Sequence, residues 1–120
     1  VGFRYGLASD VGGGTSFSPF RTMLAAYCVG REGQTKPGLS LGPQQLWWQH
    51  TAGAARALGL EGVVGNLQPG HEADFVVLDP QATPLLARKT AQANSLDELL
   101  FALIVLGDDR VVARTVIAGG

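Results

Sequence analysis

Asp10 is the residue whose type and position point most directly to chemistry. It ends a segment, residues 1–10, in which apolar residues alternate with small or polar ones, and three glycines follow at 12–14. The alternation predicts a β-strand. In barrels of parallel strands, catalytic residues lie at the carboxyl ends of the strands, and glycine in the next loop lets the backbone approach a ligand closely. Asp10 is therefore a candidate functional carboxylate, and a purely turn-capping role for the same side chain stays open.

The other residues of reactive type stand apart from one another. His50 and His71 fall on different predicted elements, with no second histidine four positions away, so they do not form a metal site. We expect His50 to be packed or partly exposed on a helix, and His71, in a Pro-Gly turn, to face solvent. Cys28 is the single cysteine, which excludes an internal disulfide and a cysteine-cluster metal site. Its place on an apolar helix stripe predicts burial. The charged run at 108–110 predicts a solvated turn.

The glycine run lacks the companions of a phosphate-binding loop. Phe17 stands where a dinucleotide-binding fingerprint needs Gly or Ala, and no Gly-Lys-Ser/Thr follows, as a nucleoside triphosphate loop would require. The sequence therefore argues against a phosphate site at this loop.

Composition limits the remaining possibilities. The 120 residues are 46% hydrophobic and 16% charged, which excludes a generic disordered chain. A formal net charge of −1 gives no reason to expect nucleic acid or an acidic membrane as partner. No apolar run approaches the roughly 18 residues of a membrane span. The chain begins with Val rather than Met, so we expect a fragment of a longer protein.

Two helices should follow the Asp10 loop. Ser18 is a predicted N-cap with Pro at the first helical position, and this helix should stop near Gly30. A loop is expected over 31–40. A second helix should run from Gly42-Pro43 to Leu58, with Gly59 as its C′ residue. The small residues at 51–55 in its middle should let another element pack closely.

The second half of the sequence predicts both strands and helices. Residues 62–70 should be irregular, and 74–79 should form a strand that is apolar, and therefore covered, on both faces. Helix starts are predicted at Thr83-Pro84 and at the capping box 95–98, with Gly107 ending the second of these helices. A last strand is expected over 110–117. Because the composition turns β-rich near residue 62, we predict two domains, spanning 1–61 and 62–120.

Four stretches, in chain order, carry a resemblance to guanine deaminases of the amidohydrolase superfamily. They resemble the last barrel strand with its loop, the helix after the barrel, the re-entry into the small β-domain, and the C-terminus of these enzymes. The Pro-Gly-x-x-Ala-Asp piece is common to the superfamily, whereas the Asp10 loop and the final turn favour guanine deaminases. The stretches are LASDVGGGTSFS at 7–18, TAGAARALG at 51–59, GNLQPGHEADFVVLD at 65–79, and FAL with LGDDR within 101–110.

The resemblance implies an α/β fold. The chain would supply the last strand and helices of a TIM-like (β/α)8 barrel, together with part of a small β-domain. Asp10 would be the aspartate after the eighth strand, a ligand of the catalytic zinc that also moves the proton of the attacking water. Zinc lowers the pKa of bound water toward about 7, and attack on the ring carbon that bears the amino group would give xanthine and ammonia from guanine. A cytoplasmic homodimer is expected for the full-length enzyme.

Nothing in this sequence matches the other ligands and acid/base groups of the family. These are a His-x-His pair, a third histidine, a glutamate and a further histidine. A complete barrel needs about 250 residues, so we expect a C-terminal portion that does not bind zinc tightly or turn over substrate alone. The alternatives are the tail of another deaminase or chlorohydrolase of the superfamily, and a non-catalytic packing or interaction domain.

Overall fold

The computed structural model describes residues 2–14, 16–32 and 41–120. Helices and strands both occur, which confirms a mixed α/β chain at this level. Residues 33–40, most of the predicted loop, lie outside the described part. The elements in chain order are α1 Pro19–Val29, α2 Pro43–His50, α3 Ala52–Ala57, β1 Phe75–Leu78, α4 Pro84–Thr90, α5 Leu96–Leu106, a 3-10 turn Asp109–Val111 and β2 Val112–Val116.

The predicted helix starts and stops are confirmed at both ends of the chain. Helix α1 begins at Pro19 after Ser18 and is capped by Gly30. At α4 the Thr83 hydroxyl accepts a hydrogen bond from the Leu86 amide at 3.3 Å, and at α5 the Ser95 hydroxyl accepts from the Glu98 amide at 3.2 Å. The side chains of these caps supply acceptors for amides that have no partner within the helix.

The prediction of one helix from residue 43 to 58 is wrong, because the backbone breaks at Thr51. This residue has φ −121° and ψ −106°, outside the helical range, and separates α2 from α3. Its hydroxyl donates to the Trp47 carbonyl at 2.9 Å, a local bond that competes with a continuous helix. After α3, Gly59 takes φ +73° as the expected C′ residue.

The strand predicted over residues 1–10 is also not observed. Residues 2–10 form neither helix nor strand, and Phe3 and Tyr5 are 86% and 53% exposed. A strand needs the backbone of a neighbouring strand to pair with. In the described part of the chain this segment lies beside a helix instead, and its Leu7 amide donates to the Gln49 carbonyl at 3.0 Å.

The core draws on both halves of the sequence. Helix α5 lies at its centre and contacts α1, α2 and α4. Because residues on either side of position 62 share this core, the two halves support one another, and the division into domains stays a prediction. The buried residues of the cluster are Phe20, Met23, Leu46, Leu86, Ala102, Leu103, Ile104 and Val111.

Strands β1 and β2 form an antiparallel ribbon in which Phe75 pairs with Val116 and Val77 with Arg114. Among the described residues no third strand joins this ribbon. Val76 and Val77, which point to opposite faces, are 50% and 43% exposed. The expectation that the strand is covered on both faces is therefore wrong for these residues, since nothing described stacks on the middle of β1.

Within the described ranges, no helix is long and apolar enough to cross a membrane.

Adjacent leucines on α4 allow a matched test of the core. Leu86 is fully buried, whereas Leu85 is 63% exposed. We expect Leu86→Ala to lower the free energy of unfolding by about 2–5 kcal/mol, because it leaves a cavity. Leu85→Ala should cost under about 0.5 kcal/mol. Urea unfolding of both variants measures the difference, and equal effects would contradict the assignment of Leu86 to the core.

Candidate functional site

Asp10 lies at a tight turn with its side chain exposed. Its φ is +48°, in the left-handed region that aspartate tolerates better than most residues. The Asp10 carbonyl accepts hydrogen bonds from the amides of Gly13 at 3.0 Å and Gly14 at 2.5 Å. The backbone of the loop is thus folded around Asp10, and the carboxylate is left accessible.

Glycine is needed in this loop because the backbone passes very close to the residues before it. A Cβ on Gly14 would lie 1.8 Å from the Ser9 carbonyl oxygen, and one on Gly13 would lie 2.8 Å from Oδ2 of Asp10. Real Cβ atoms do not approach other atoms so closely, so larger residues would force the loop away from Asp10. The glycines therefore let the loop pass close to Ser9 and Asp10, and their role in a close approach to a ligand stays a prediction.

The segment that carries Asp10 is fixed against the helices. Leu7 packs on the hydrophobic core, and its amide donates to the Gln49 carbonyl. A Cβ on Gly6 would lie 2.7 Å from the Cα of Ala54. The prediction that the small residues at 51–55 let another element pack closely is confirmed by this contact. In the sequence, the only sign of this role of Gly6 is its small size.

His50 is half-buried at the end of α2, as expected for a packed histidine. Its Nε2 atom is buried and has no hydrogen-bond partner among the described residues. Burial lowers the pKa of His50 below the usual 6.5. The neutral ring is therefore the favoured form in the folded protein.

Two expectations about exposure are wrong. His71 is half-buried rather than solvent-facing, because its turn folds back where the Glu72 amide donates to the Val63 carbonyl at 2.8 Å. Cys28 is exposed rather than buried. The buried side of α1 is centred on Phe20 and Met23, and Cys28, five residues after Met23, is rotated away from it.

The turn at 108–110 is structural and solvated, as predicted. The Arg110 Nε donates to Oδ1 of Asp108 at 3.0 Å, and the Arg110 amide donates to the same oxygen at 3.0 Å. The side-chain hydrogen bond from Arg110 is the main reason that the pKa of Asp108 lies below its ordinary value. Both side chains are accessible to water, so this pair fixes the turn and adds little stability.

The described ranges contain no group of three or more His, Cys, Asp or Glu side chains that could hold a metal ion. Asp10, His50 and His71 are not brought together. A zinc site usually takes three or four protein ligands, so Asp10 fits as one carboxylate ligand, and the described residues do not make a complete site.

The pKa of His50 predicts a pH dependence of stability. From about pH 6.5 downward, the unfolded chain binds a proton at this residue more readily than the folded chain does, so stability falls with pH. We expect the urea midpoint to decrease between about pH 7.5 and pH 5.5, and His50→Gln to reduce that decrease. The same decrease in the variant and the parent protein would show that another group is responsible.

The sequence profile described as the amidohydrolase family matches residues 1–120. The chain is 39% identical to the guanine deaminase of Escherichia coli over 97% of its own length and 26% of that protein's. The solved structure of E. coli guanine deaminase superposes with a TM-score of 0.88 over the same shares of the two chains. A probable guanine deaminase from Deinococcus radiodurans is 40% identical over all of this chain and 27% of its own length.

An imidazolonepropionase from Rubrobacter xylanophilus is 42% identical over 74 residues, which are 61% of this chain and 16% of that protein. The chain thus spans about a quarter of the length of the guanine deaminases it matches. Since the family profile covers the chain from its first residue to its last, the chain belongs to the amidohydrolase family.

Proposed function

We propose that these 120 residues are the C-terminal segment of a zinc-dependent guanine deaminase, which converts guanine and water to xanthine and ammonia. The observation that carries the proposal is the match to E. coli guanine deaminase, at 39% identity and a TM-score of 0.88 over 97% of the chain. Because the match extends over nearly the whole segment, it includes the Asp10 loop, the helices and the β1–β2 ribbon together.

In this proposal residues 1–61 complete a TIM-like (β/α)8 barrel and 62–120 contribute to a small β-rich domain. The segment at 2–10 becomes the last barrel strand once neighbouring strands are supplied. Two features support this assignment. Phe3 and Tyr5 are exposed where a strand would have neighbours, and about three quarters of the relatives' length lies beyond the match.

Asp10 is the residue of this chain that would act on the substrate. Its exposed carboxylate can accept a proton from the attacking water and can orient that water by a hydrogen bond. The new C–O bond forms at the ring carbon that bears the amino group, the C–N bond to that group breaks, and the accepted proton leaves with ammonia. A positioned acid/base group of this kind contributes about 10²- to 10⁴-fold in rate.

Zinc is the cofactor that the proposal requires. When bound, it supplies an acidified water at neutral pH. Asp10 would hold it through one carboxylate oxygen, with the other ligands coming from outside these residues. Guanine is the small-molecule substrate, and neither nucleic acid nor a membrane enters the proposal. We further propose that the full-length enzyme is a cytoplasmic homodimer.

The similarity to an imidazolonepropionase supports a second candidate, another amidohydrolase activity on the same framework. That similarity covers 61% of the chain against 97% and 100% for the two guanine deaminases. Guanine deamination is therefore the better supported activity. Turnover of the full-length protein on guanine and on the imidazolonepropionase substrate separates the two directly.

The proposal predicts that Asp10→Asn in the full-length protein lowers guanine deamination by at least about 10²-fold. The change keeps the size of the side chain and removes its charge and its proton acceptor. Ammonia release at saturating guanine, with zinc content measured in parallel, gives the result. Asp109→Asn, in the solvated turn, is the control and should leave turnover nearly unchanged. Near-normal turnover of zinc-loaded Asp10→Asn would make Asp10 a turn residue only.

A second prediction concerns the loop rather than the carboxylate. Gly14→Ala should lower turnover because its Cβ would overlap the Ser9 carbonyl oxygen and push the adjoining Asp10 out of place. Gly62→Ala is the matched control, since Gly62 is exposed, lies outside the proposed strand, and would place a Cβ with nothing within 4 Å. Thermal unfolding of both variants shows whether the fold is kept. A folded Gly14→Ala enzyme with full activity would contradict the proposed link between loop geometry and Asp10.

A further inference from the structure

Thr51 separates two helices that both contact the N-terminal segment. Before the break, the Gln49 carbonyl of α2 accepts a hydrogen bond from the Leu7 amide at 3.0 Å. After the break, Ala54 of α3 lies so close to Gly6 that a Cβ on the glycine would be 2.7 Å from the Ala54 Cα. Two adjacent residues of the segment are therefore held by backbone from both sides of the helix break.

A continuous helix would place these two contacts on different faces. With 3.6 residues per turn, positions 49 and 54 would lie about 140° apart around one helix axis. The Gln49 carbonyl would also accept a hydrogen bond from the amide four residues later, which belongs to Gly53. Here its donor is the Leu7 amide instead. The break therefore leaves the Gln49 carbonyl available to the N-terminal segment.

The Thr51 hydroxyl stabilises the backbone at this break. The Thr51 amide donates to the Trp48 carbonyl at 3.1 Å, three residues back instead of four. The Trp47 carbonyl thereby loses the amide that a regular helix would supply, and the Thr51 hydroxyl donates to it at 2.9 Å. The Thr51 carbonyl accepts from the Ala55 amide at 3.0 Å, at the start of α3. The hydroxyl thus satisfies the carbonyl that the change of direction leaves without its backbone donor.

Packing fixes the residues on both sides of the break. Gln49 is only 4% exposed, and Leu46 of the same helix is fully buried against the core. A Cβ on Gly53 would lie 2.6 Å from the Trp48 ring, so this glycine lets the indole pack directly on the start of α3. The carbonyl that binds the Leu7 amide is therefore held in a defined position.

We propose that Thr51 is a positioning residue for the carboxylate of Asp10. This inference rests on the proposed function, in which Asp10 acts on the attacking water. The Thr51 hydroxyl holds the break, the break presents the Gln49 carbonyl, and that carbonyl fixes Leu7 three residues before Asp10. A misplacement of about 1 Å at a reacting group can lower a rate by about 10²-fold. Loss of the hydroxyl should therefore lower turnover even though Thr51 is bonded only to the helix backbone.

Kinetics of Thr51 variants in the full-length protein test this role. Thr51→Val keeps the size of the side chain and removes its donor, so we expect kcat for guanine to fall at least about tenfold, with KM and zinc content nearly unchanged. Thr51→Ala, the second variant without the hydroxyl, should behave in the same way. Thr51→Ser keeps the donor and should restore most of kcat.

Thr90→Val is the matched control. The Thr90 hydroxyl also donates to a carbonyl four residues back, that of Leu86, at 3.0 Å. It lies on α4, outside the Asp10 segment and the two helices that contact it. Its loss should lower the melting temperature and leave kcat nearly unchanged, which separates a general loss of stability from a loss of positioning.

Hydrogen exchange at the Leu7 amide gives a readout that does not use turnover. We expect this amide to exchange at least about tenfold faster in Thr51→Val than in the parent protein, while the amides of α5 keep their protection. Unchanged protection of Leu7, or normal kcat despite faster exchange, would overturn the proposal. A parent protein without guanine turnover would contradict the proposed function instead, and the exchange rates would still test the link between Thr51 and Leu7.

Discussion

The contact between Gly6 and Ala54 is the constraint on which the position of Asp10 depends. A Cβ on Gly6 would overlap the backbone of Ala54, so only glycine lets the N-terminal segment lie directly on the helices. The Leu7 amide then reaches the Gln49 carbonyl at 3.0 Å. Asp10 follows Leu7 by three residues, so this backbone contact sets the distance between Asp10 and the core. A larger residue at position 6 would hold the segment farther from the helices.

The other end of the Asp10 loop is fixed by the core. Helix α1 begins at Pro19 and buries Phe20 and Met23. The Phe20 ring packs edge-on against Trp47 with centroids 5.9 Å apart, and the Trp47 indole donates to the Leu100 carbonyl of α5 at 3.3 Å. Residues near the end of the chain therefore restrain a loop near its beginning. The carboxylate is exposed, but the backbone that carries it is held on both sides.

The features that the sequence predicted well are local. Caps such as Thr83 and Ser95 depend on hydrogen bonds to amides three residues away, and Gly59 depends on its own φ, so short motifs are enough to find them. The break at Thr51 was missed because hydroxyl bonding of a single residue outweighed a helical pattern on both sides. The strand predicted at 1–10 and the cover predicted for β1 are not observed among the described residues, because both require neighbouring chain that these residues do not supply. The same holds for the candidate site. The Asp10 loop can be recognised as a sequence motif, whereas the contact between Gly6 and Ala54 joins residues far apart in the sequence and could not be predicted from it.

The central claim is that the Asp10 carboxylate faces the catalytic zinc of a guanine deaminase. Anomalous diffraction from crystals of the full-length protein, measured at the zinc absorption edge, tests it without reference to activity. We expect a zinc peak about 2.0–2.2 Å from an Asp10 carboxylate oxygen. A fully occupied zinc site elsewhere, with Asp10 turned toward solvent, would contradict it.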